Sequence, residues 1–151
     1  MADEDFKVEY HVGWRDIDPN FHLRAAVLVD YAINTQFLWL EQYGITQARF
    51  AELGYEPVAL KLEARYYKEA TFGDLIVDKP LLTALSSDGA RWKVRHHFVK
   101  KQGDQVVSIL LVGTWMNWQT RKAIAPASDV VAALKQLPRS SNFEDLRSFI
   151  R

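Results

Sequence analysis

The sequence predicts an α+β domain, and three observations carry that prediction. Residues 6–15 alternate apolar and polar side chains with a period of two, residues 25–40 are apolar almost all the way round a helical wheel, and four more extended segments follow at hairpin spacing. A strand, a long buried helix and a run of antiparallel strands together imply one sheet packed on one central helix.

In the first segment Phe6, Val8, Tyr10, Val12 and Trp14 share one face, which reads as a half-buried strand. It stops at Asp18-Pro19, because Pro19 lacks an N–H and pushes the residue before it out of helical geometry. Across residues 25–40 the polar side chains are Asp30, Asn34, Thr35 and Gln36, so this helix, roughly 24 Å long, is expected to be buried on most sides. Thr46 as N-cap and Gly54 as C-terminal stop frame a short second helix. Strands are expected at 58–69, 75–85, 91–101 and 105–118, with Pro80 placing an edge or a bulge in the second of these. The last strand is apolar on both faces and suits a central, doubly covered position. Residues 126–137 read as an amphipathic helix capped by Ser128 or Asp129 and closed by Pro138. One domain over 1–137 and a partly ordered tail over 138–151 complete the layout.

Composition narrows the chemistry. The 151 residues carry 19 basic and 19 acidic side chains and no cysteine. A balanced charge gives no long-range attraction to nucleic acid or an anionic membrane, so neither is expected as a partner. Without cysteine there are no disulfides, thiolate metal sites or cysteine nucleophiles. The acidic start and the lack of a long apolar run predict a cytoplasmic protein with no membrane span. No metal and no organic cofactor are expected: His96 and His97 are adjacent on a strand and point to opposite faces, and no HExxH, P-loop or G-x-G-x-x-G pattern is present. Aromatic residues make up 13% of the chain, enough to fill a core and line a pocket.

The polar loop between the first strand and the apolar helix is the best candidate for chemistry. A helix N-terminus offers N–H groups without intrahelical partners and a positive partial charge, which stabilise an oxyanion. A carboxylate beside them can act as base or nucleophile on a carbonyl held there. Asp16, Asp18 and Asn20 are equally suited to capping the helix and shaping the turn.

The run Trp14-Arg15-Asp16-Ile17-Asp18-Pro19-Asn20-Phe21-His22-Leu23, with Phe72-Gly73-Asp74 at a later turn and the order of elements, resembles the hotdog-fold thioesterases of the 4-hydroxybenzoyl-CoA thioesterase type. The likeness runs from about Lys7 to Ala133. It implies a five-stranded antiparallel sheet wrapped around the long helix, and hydrolysis of an acyl-CoA thioester. The family's loop reads D-x-D-x-x-G-H-x-N; Asp16, Asp18 and His22 match it, and the resemblance makes Asp18 the catalytic carboxylate, as nucleophile or as general base. His22 would orient the loop or touch the thioester. Phe21 stands where the family has Gly, Arg24 replaces Asn, and Ile33 occupies a helical position where many members carry Glu.

Phe21 and Tyr31 are placed to line an acyl pocket. Arg24 is suited to pairing with Asp16, Asp18 or a neighbouring subunit, or to meeting a CoA phosphate. A small sheet covers only one side of so apolar a helix, so a homodimer is expected, with a homotetramer as a further step. Two alternatives remain at this stage: a non-catalytic acyl-CoA or lipid-binding protein, favoured by Arg24 and Ile33, and a dehydratase or hydratase in which a buried Asp30 would work with His22.

Overall fold

The computed structural model describes residues 6–148. In chain order the elements are β1 (Val8–His11), a 3-10 turn (Trp14–Asp16), α1 (Ala25–Glu41), α2 (Gln47–Leu53), β2 (Tyr55–Tyr66), β3 (Leu75–Ser86), β4 (Trp92–Lys100), β5 (Gln105–Asn117), β6 (Ala123–Ile124), α3 (Ser128–Lys135) and β7 (Arg139–Leu146). Strands β1, β3, β4, β5 and β2 lie side by side in that order, all antiparallel, and α1 packs against β3 and β5. This is the expected hotdog arrangement of five strands around a long helix.

Two short strands extend it. β6 pairs with β5, and β7 runs parallel to β3. Residues 138–151 are therefore not merely a tail, although 149–151 lie outside the described residues. The cause is a mismatch in length: β1 has 4 residues and β3 has 12, so most of that edge of β3 is open until β7 fills it. Phe143 packs on the core, and the Arg139 guanidinium lies 4.1 Å from the centre of its ring.

Pro80 sits in the gap between these partners, since β1 pairs with residues 75–78 of β3 and β7 with residues 82–86. Leu82 donates its N–H to the Pro138 carbonyl, and Pro80, two residues earlier on a pleated strand, has its nitrogen on the same side. The donor that proline lacks is thus one that no strand reaches. A bulge lies close by, between Leu82 and Ala84.

The short helix α2 has the predicted ends: Thr46 Oγ1 accepts from the Arg49 N–H, and Gly54 closes it at φ 76°. The α3 prediction needs correction, because its N-cap is Ala127, with no side-chain cap. Asp129, inside the first turn, is instead turned toward Arg49 at 3.2 Å.

In α1, Val27, Leu28, Ala32, Thr35, Trp39 and Leu40 are buried, while Ile33, Phe37 and Leu38 are exposed at 40%, 44% and 39%. Burial on most sides is not reached within one chain. The core itself is aromatic: Trp115 packs within 6.4 Å, centre to centre, of Phe50, Tyr55 and Trp92. Gly113 on β5 makes room for this cluster, since a Cβ there would overlap the Trp92 ring and the Val58 carbonyl.

Replacing Gly113 with Ala is expected to destabilise the fold by about 1–3 kcal/mol through overpacking. Urea denaturation of the two proteins checks this, with a lower midpoint and an unchanged slope as the expected result.

Candidate active site

After the 3-10 turn the chain folds residues 17–23 into a miniature hairpin. Ile17 bridges to Leu23, Asp18 donates its N–H to the His22 carbonyl at 2.8 Å, and Phe21 donates to the Asp18 carbonyl at 3.0 Å. Two further bonds fasten the hairpin: Leu23 N–H to the Ala70 carbonyl at 2.7 Å, and Arg24 N–H to the Asp16 carbonyl at 2.8 Å. The turn carrying Phe72-Gly73-Asp74 holds the other side, for Val12 exchanges backbone bonds with Gly73 and Asp74. Gly73, at φ 89°, allows that turn.

Within the hairpin the Asp18 carboxylate is held by its own loop. Its Oδ1 accepts N–H bonds from Asn20 at 2.8 Å and His22 at 3.0 Å. Phe21 sits at φ 67°, a left-handed conformation that costs a bulky residue about 1–2 kcal/mol. The glycine of the resembled motif suits this geometry. The Phe21 side chain is 73% exposed and does not line the cleft described below.

Asp16 and Tyr31 do a different job from Asp18. Asp16 Oδ2 accepts from the Gly13 N–H at 3.1 Å and from the Tyr31 hydroxyl at 3.2 Å. Tyr31 stacks on Tyr10, with ring centres 4.2 Å apart. Tyr10 in turn donates to the Tyr31 carbonyl at 2.9 Å and lies 2.7 Å from Thr35 Oγ1. Tyr31 was expected to line an acyl pocket; here it ties the loop to the middle of α1. Burial, then the neighbouring Asp16 carboxylate, push its phenol up to about 12.

The residue before α1 is Arg24, which supplies no side-chain cap; its Nη2 lies 3.3 Å from the Arg15 carbonyl, and no ion pair with Asp16 or Asp18 forms among the described residues. The Val27 N–H donates to the Arg24 carbonyl at 3.0 Å, and the N–H groups of Ala25 and Ala26 are left without a side-chain cap. Asp16 caps the 3-10 turn and Asp18 caps its own loop, so neither carboxylate neutralises the helix end. Asp18, His22, Leu23, Ala25 and Leu28 line one side of an open cleft of about 390 Å³, and residues 66–70 line the other. The structure thus brings Asp18 and His22 together at the N-terminus of α1 and leaves Phe21, Arg24 and Tyr31 outside that cleft.

Asp30 is exposed rather than buried, and Asn34, one helical turn further on, donates to the Tyr10 hydroxyl at 3.1 Å. That removes the buried acid on which a dehydratase reading depended. His96 and His97 do face opposite sides, but His96 has a setting that the sequence reading missed. It is fully buried, its Nδ1 lies 2.8 Å from Asp78 Oδ2, and its Nε2 lies 3.1 Å from the amide of Gln36 on α1. The clue was a diagonal one, because Asp78 pairs with Phe98 and Pro80 with His96 across β3 and β4.

Among the described residues no group of three or more His, Asp or Glu side chains is placed to hold a metal ion, and no helix is long and apolar enough to cross a membrane.

A curled antiparallel sheet around one long helix defines a hotdog domain. The chain belongs to the thioesterase-like superfamily, whose family model matches residues 12–134. A search of curated protein sequences gave no significant match. Solved structures share the fold at low identity. A 1,4-dihydroxy-2-naphthoyl-CoA thioesterase from Synechocystis is 13% identical with a TM-score of 0.78, covering 87% of this chain and 96% of that one. A Staphylococcus aureus protein solved in complex with CoA is 18% identical with a TM-score of 0.83, covering 93% and 90%. A probable thioesterase from Escherichia coli is 17% identical with a TM-score of 0.73, covering 88% and 98%.

The Tyr31 phenol gives a pH prediction. A folded-state value of about 12 lies above the ordinary value of about 10. The neutral phenol therefore contributes its full stability below pH ~10, and that stability is lost as pH rises through about 12. Thermal melts across this window are expected to show a steeper alkaline loss for the native protein than for Tyr31→Phe. Tyr10 and Tyr55, also raised by burial, contribute to the loss that remains.

Proposed function

We propose that this protein hydrolyses acyl-CoA thioesters to a carboxylic acid and free CoA, with Asp18 as the catalytic carboxylate. The observation that carries the reading is the uncapped N-terminus of α1 opening onto the cleft that holds Asp18 and His22. A thioester carbonyl placed against the first-turn N–H groups is polarised, and the oxyanion of the tetrahedral intermediate gains most from them. Asp18 acts in one of two ways. As a base it takes a proton from water, whose oxygen attacks the carbonyl; the C–S bond breaks and CoA leaves as a thiolate that is then protonated. As a nucleophile it attacks directly, expels the same thiolate and leaves a mixed anhydride that water opens. His22, on the rim of the same cleft, orients the loop through its backbone bonds to Asp18. Arg24, exposed beside the loop, is available to a CoA phosphate.

The same reading includes a homodimer. The inward side of β2 carries Leu62 and Tyr66, and with Ile33 and Phe37 of α1 they form an uncovered apolar strip. The outer edge of β2 has no strand partner among the described residues. A second copy laid along this strip buries the apolar side chains and closes the cleft from above. The likeness to proteins named as acyl-CoA thioesterases, and to one solved with CoA, supports the choice of substrate.

Two outcomes are expected. Asp18→Asn lowers kcat for thiol release from a panel of acyl-CoAs by about 10²–10⁴-fold. Unchanged hydrolysis removes Asp18 from the mechanism, and tight acyl-CoA binding without turnover by the native protein points to a binding module. For the assembly, sedimentation is expected to give a dimer for the native protein and a shift toward monomer for Phe37→Asp, whose side chain lies in the strip.

A further inference from the structure

The buried Asp78–His96 pair takes no part in the chemistry at Asp18, yet it determines how Gln36 is presented. His96 is held from behind by Asp78 at 2.8 Å and meets the Gln36 amide in front at 3.1 Å. A primary amide has an acceptor end and a donor end, and His96 Nε2 engages one of them. The other end has no hydrogen-bond partner among the described residues. Gln36 lines a slot of about 120 Å³ between α1 and β2, walled by Ile33, Phe37, Leu40 and Ala59. The Trp92 ring lines the same slot, but its indole N–H is closed off from it by burial.

The slot belongs to the same groove as the cleft around Asp18. The cleft takes Ala25 and Leu28 from α1 and Tyr66 from β2, whereas the slot takes Ile33 and Phe37 from α1 and Pro57 and Ala59 from β2. An apolar slot with one unused polar group orients a ligand that is mostly hydrocarbon and carries one polar atom.

We infer that Gln36, set by His96 and Asp78, is a specificity-determining residue that binds a hydroxyl group at the far end of a medium-length acyl chain, since Gln36 lies roughly 14 Å along α1 from its first turn. This rests on the acyl-CoA hydrolase reading. A hydroxyl both donates and accepts, so it satisfies Gln36 whichever end of the amide faces the slot. A carboxylate tip fits poorly, because no cation lines the slot and the Asp78 carboxylate lies behind Gln36. A bare hydrocarbon leaves the free end of the amide unpaired, and sites of this kind reject the analogue that lacks the hydroxyl.

The test compares decanoyl-CoA with 10-hydroxydecanoyl-CoA. The native protein is expected to favour the hydroxylated substrate in kcat/KM by about 10-fold or more. In Gln36→Met, which keeps the packing, that preference falls to about one while turnover of decanoyl-CoA persists. No preference, or a preference that Gln36→Met retains, overturns the inference. If the native protein hydrolyses no acyl-CoA of the panel above, the function proposed there fails; if it hydrolyses neither member of this pair, the slot is tested by binding alone. The side-chain amide NMR signals of Gln36 then shift with 10-hydroxydecanoic acid and not with decanoic acid; equal or absent shifts overturn the inference in that case.

Discussion

The structure depends on one geometric constraint: α1 is apolar around most of its circumference, and a curled sheet reaches only one side of it. On the covered side Val27, Leu28, Ala32, Trp39 and Leu40 enter the core, where Trp39 also donates its indole N–H to the Ala133 carbonyl at 2.9 Å. Ile33 and Phe37 stay outside. The groove between α1 and β2 exists because of this incomplete cover, and both the cleft at Asp18 and the slot at Gln36 are parts of it. The hydrophobic residues that a second copy would bury also wall the space a substrate would enter, so assembly and catalysis draw on the same surface.

Given that helix, the loop before it has to be positioned without filling the helix end. A carboxylate at the N-cap would stabilise α1 but would consume the N–H groups that an oxyanion needs. The loop separates these tasks. Asp16 turns away to Gly13 and Tyr31, Asp18 is held by N–H groups of its own hairpin, and Arg24 stands at the cap position without capping. Tyr10 links the system to the sheet, because it stacks on Tyr31 from β1 while β1 pairs with β3. A cap forgone and a left-handed Phe21 are local costs that the tertiary bonds at Ala70 and Val12 offset.

Much of this was legible in the sequence wherever the signal was local. Thr46 and Gly54 framed α2 because capping chemistry lies within a few residues of the helix it ends, and Pro80 marked a gap in pairing because proline reports on its own N–H. The loop that carries Asp18 and His22 could be placed at the start of α1 because a strand, a proline break and an apolar helix follow one another directly. What was missed is tertiary. β7 carries few apolar residues and exists because a distant strand is too short. Tyr31 reads as pocket lining until Tyr10 and Asp16 are seen to hold it. Asp78 and His96 lie 18 positions apart, and they become partners only once the register of β3 against β4 is known.

The last of these bears on energetics as well as on recognition. A fully buried Asp–His pair is a poor source of stability, because removing both groups from water costs several kcal/mol that their attraction only partly returns, and Asp78 Oδ1 has no hydrogen-bond partner among the described residues. Apolar side chains in the same places would fill the space between β3, β4 and α1 at less cost. What such a core could not do is fix Gln36. A glutamine on the partly uncovered side of a helix has several rotamers and a solvated amide, and binding through it would first have to restrict both. Anchored to His96, the amide is already held in one orientation beside the slot, so the conformational cost is met in folding rather than in binding. The buried pair is best understood as the rigid support of a polar contact in an otherwise apolar groove.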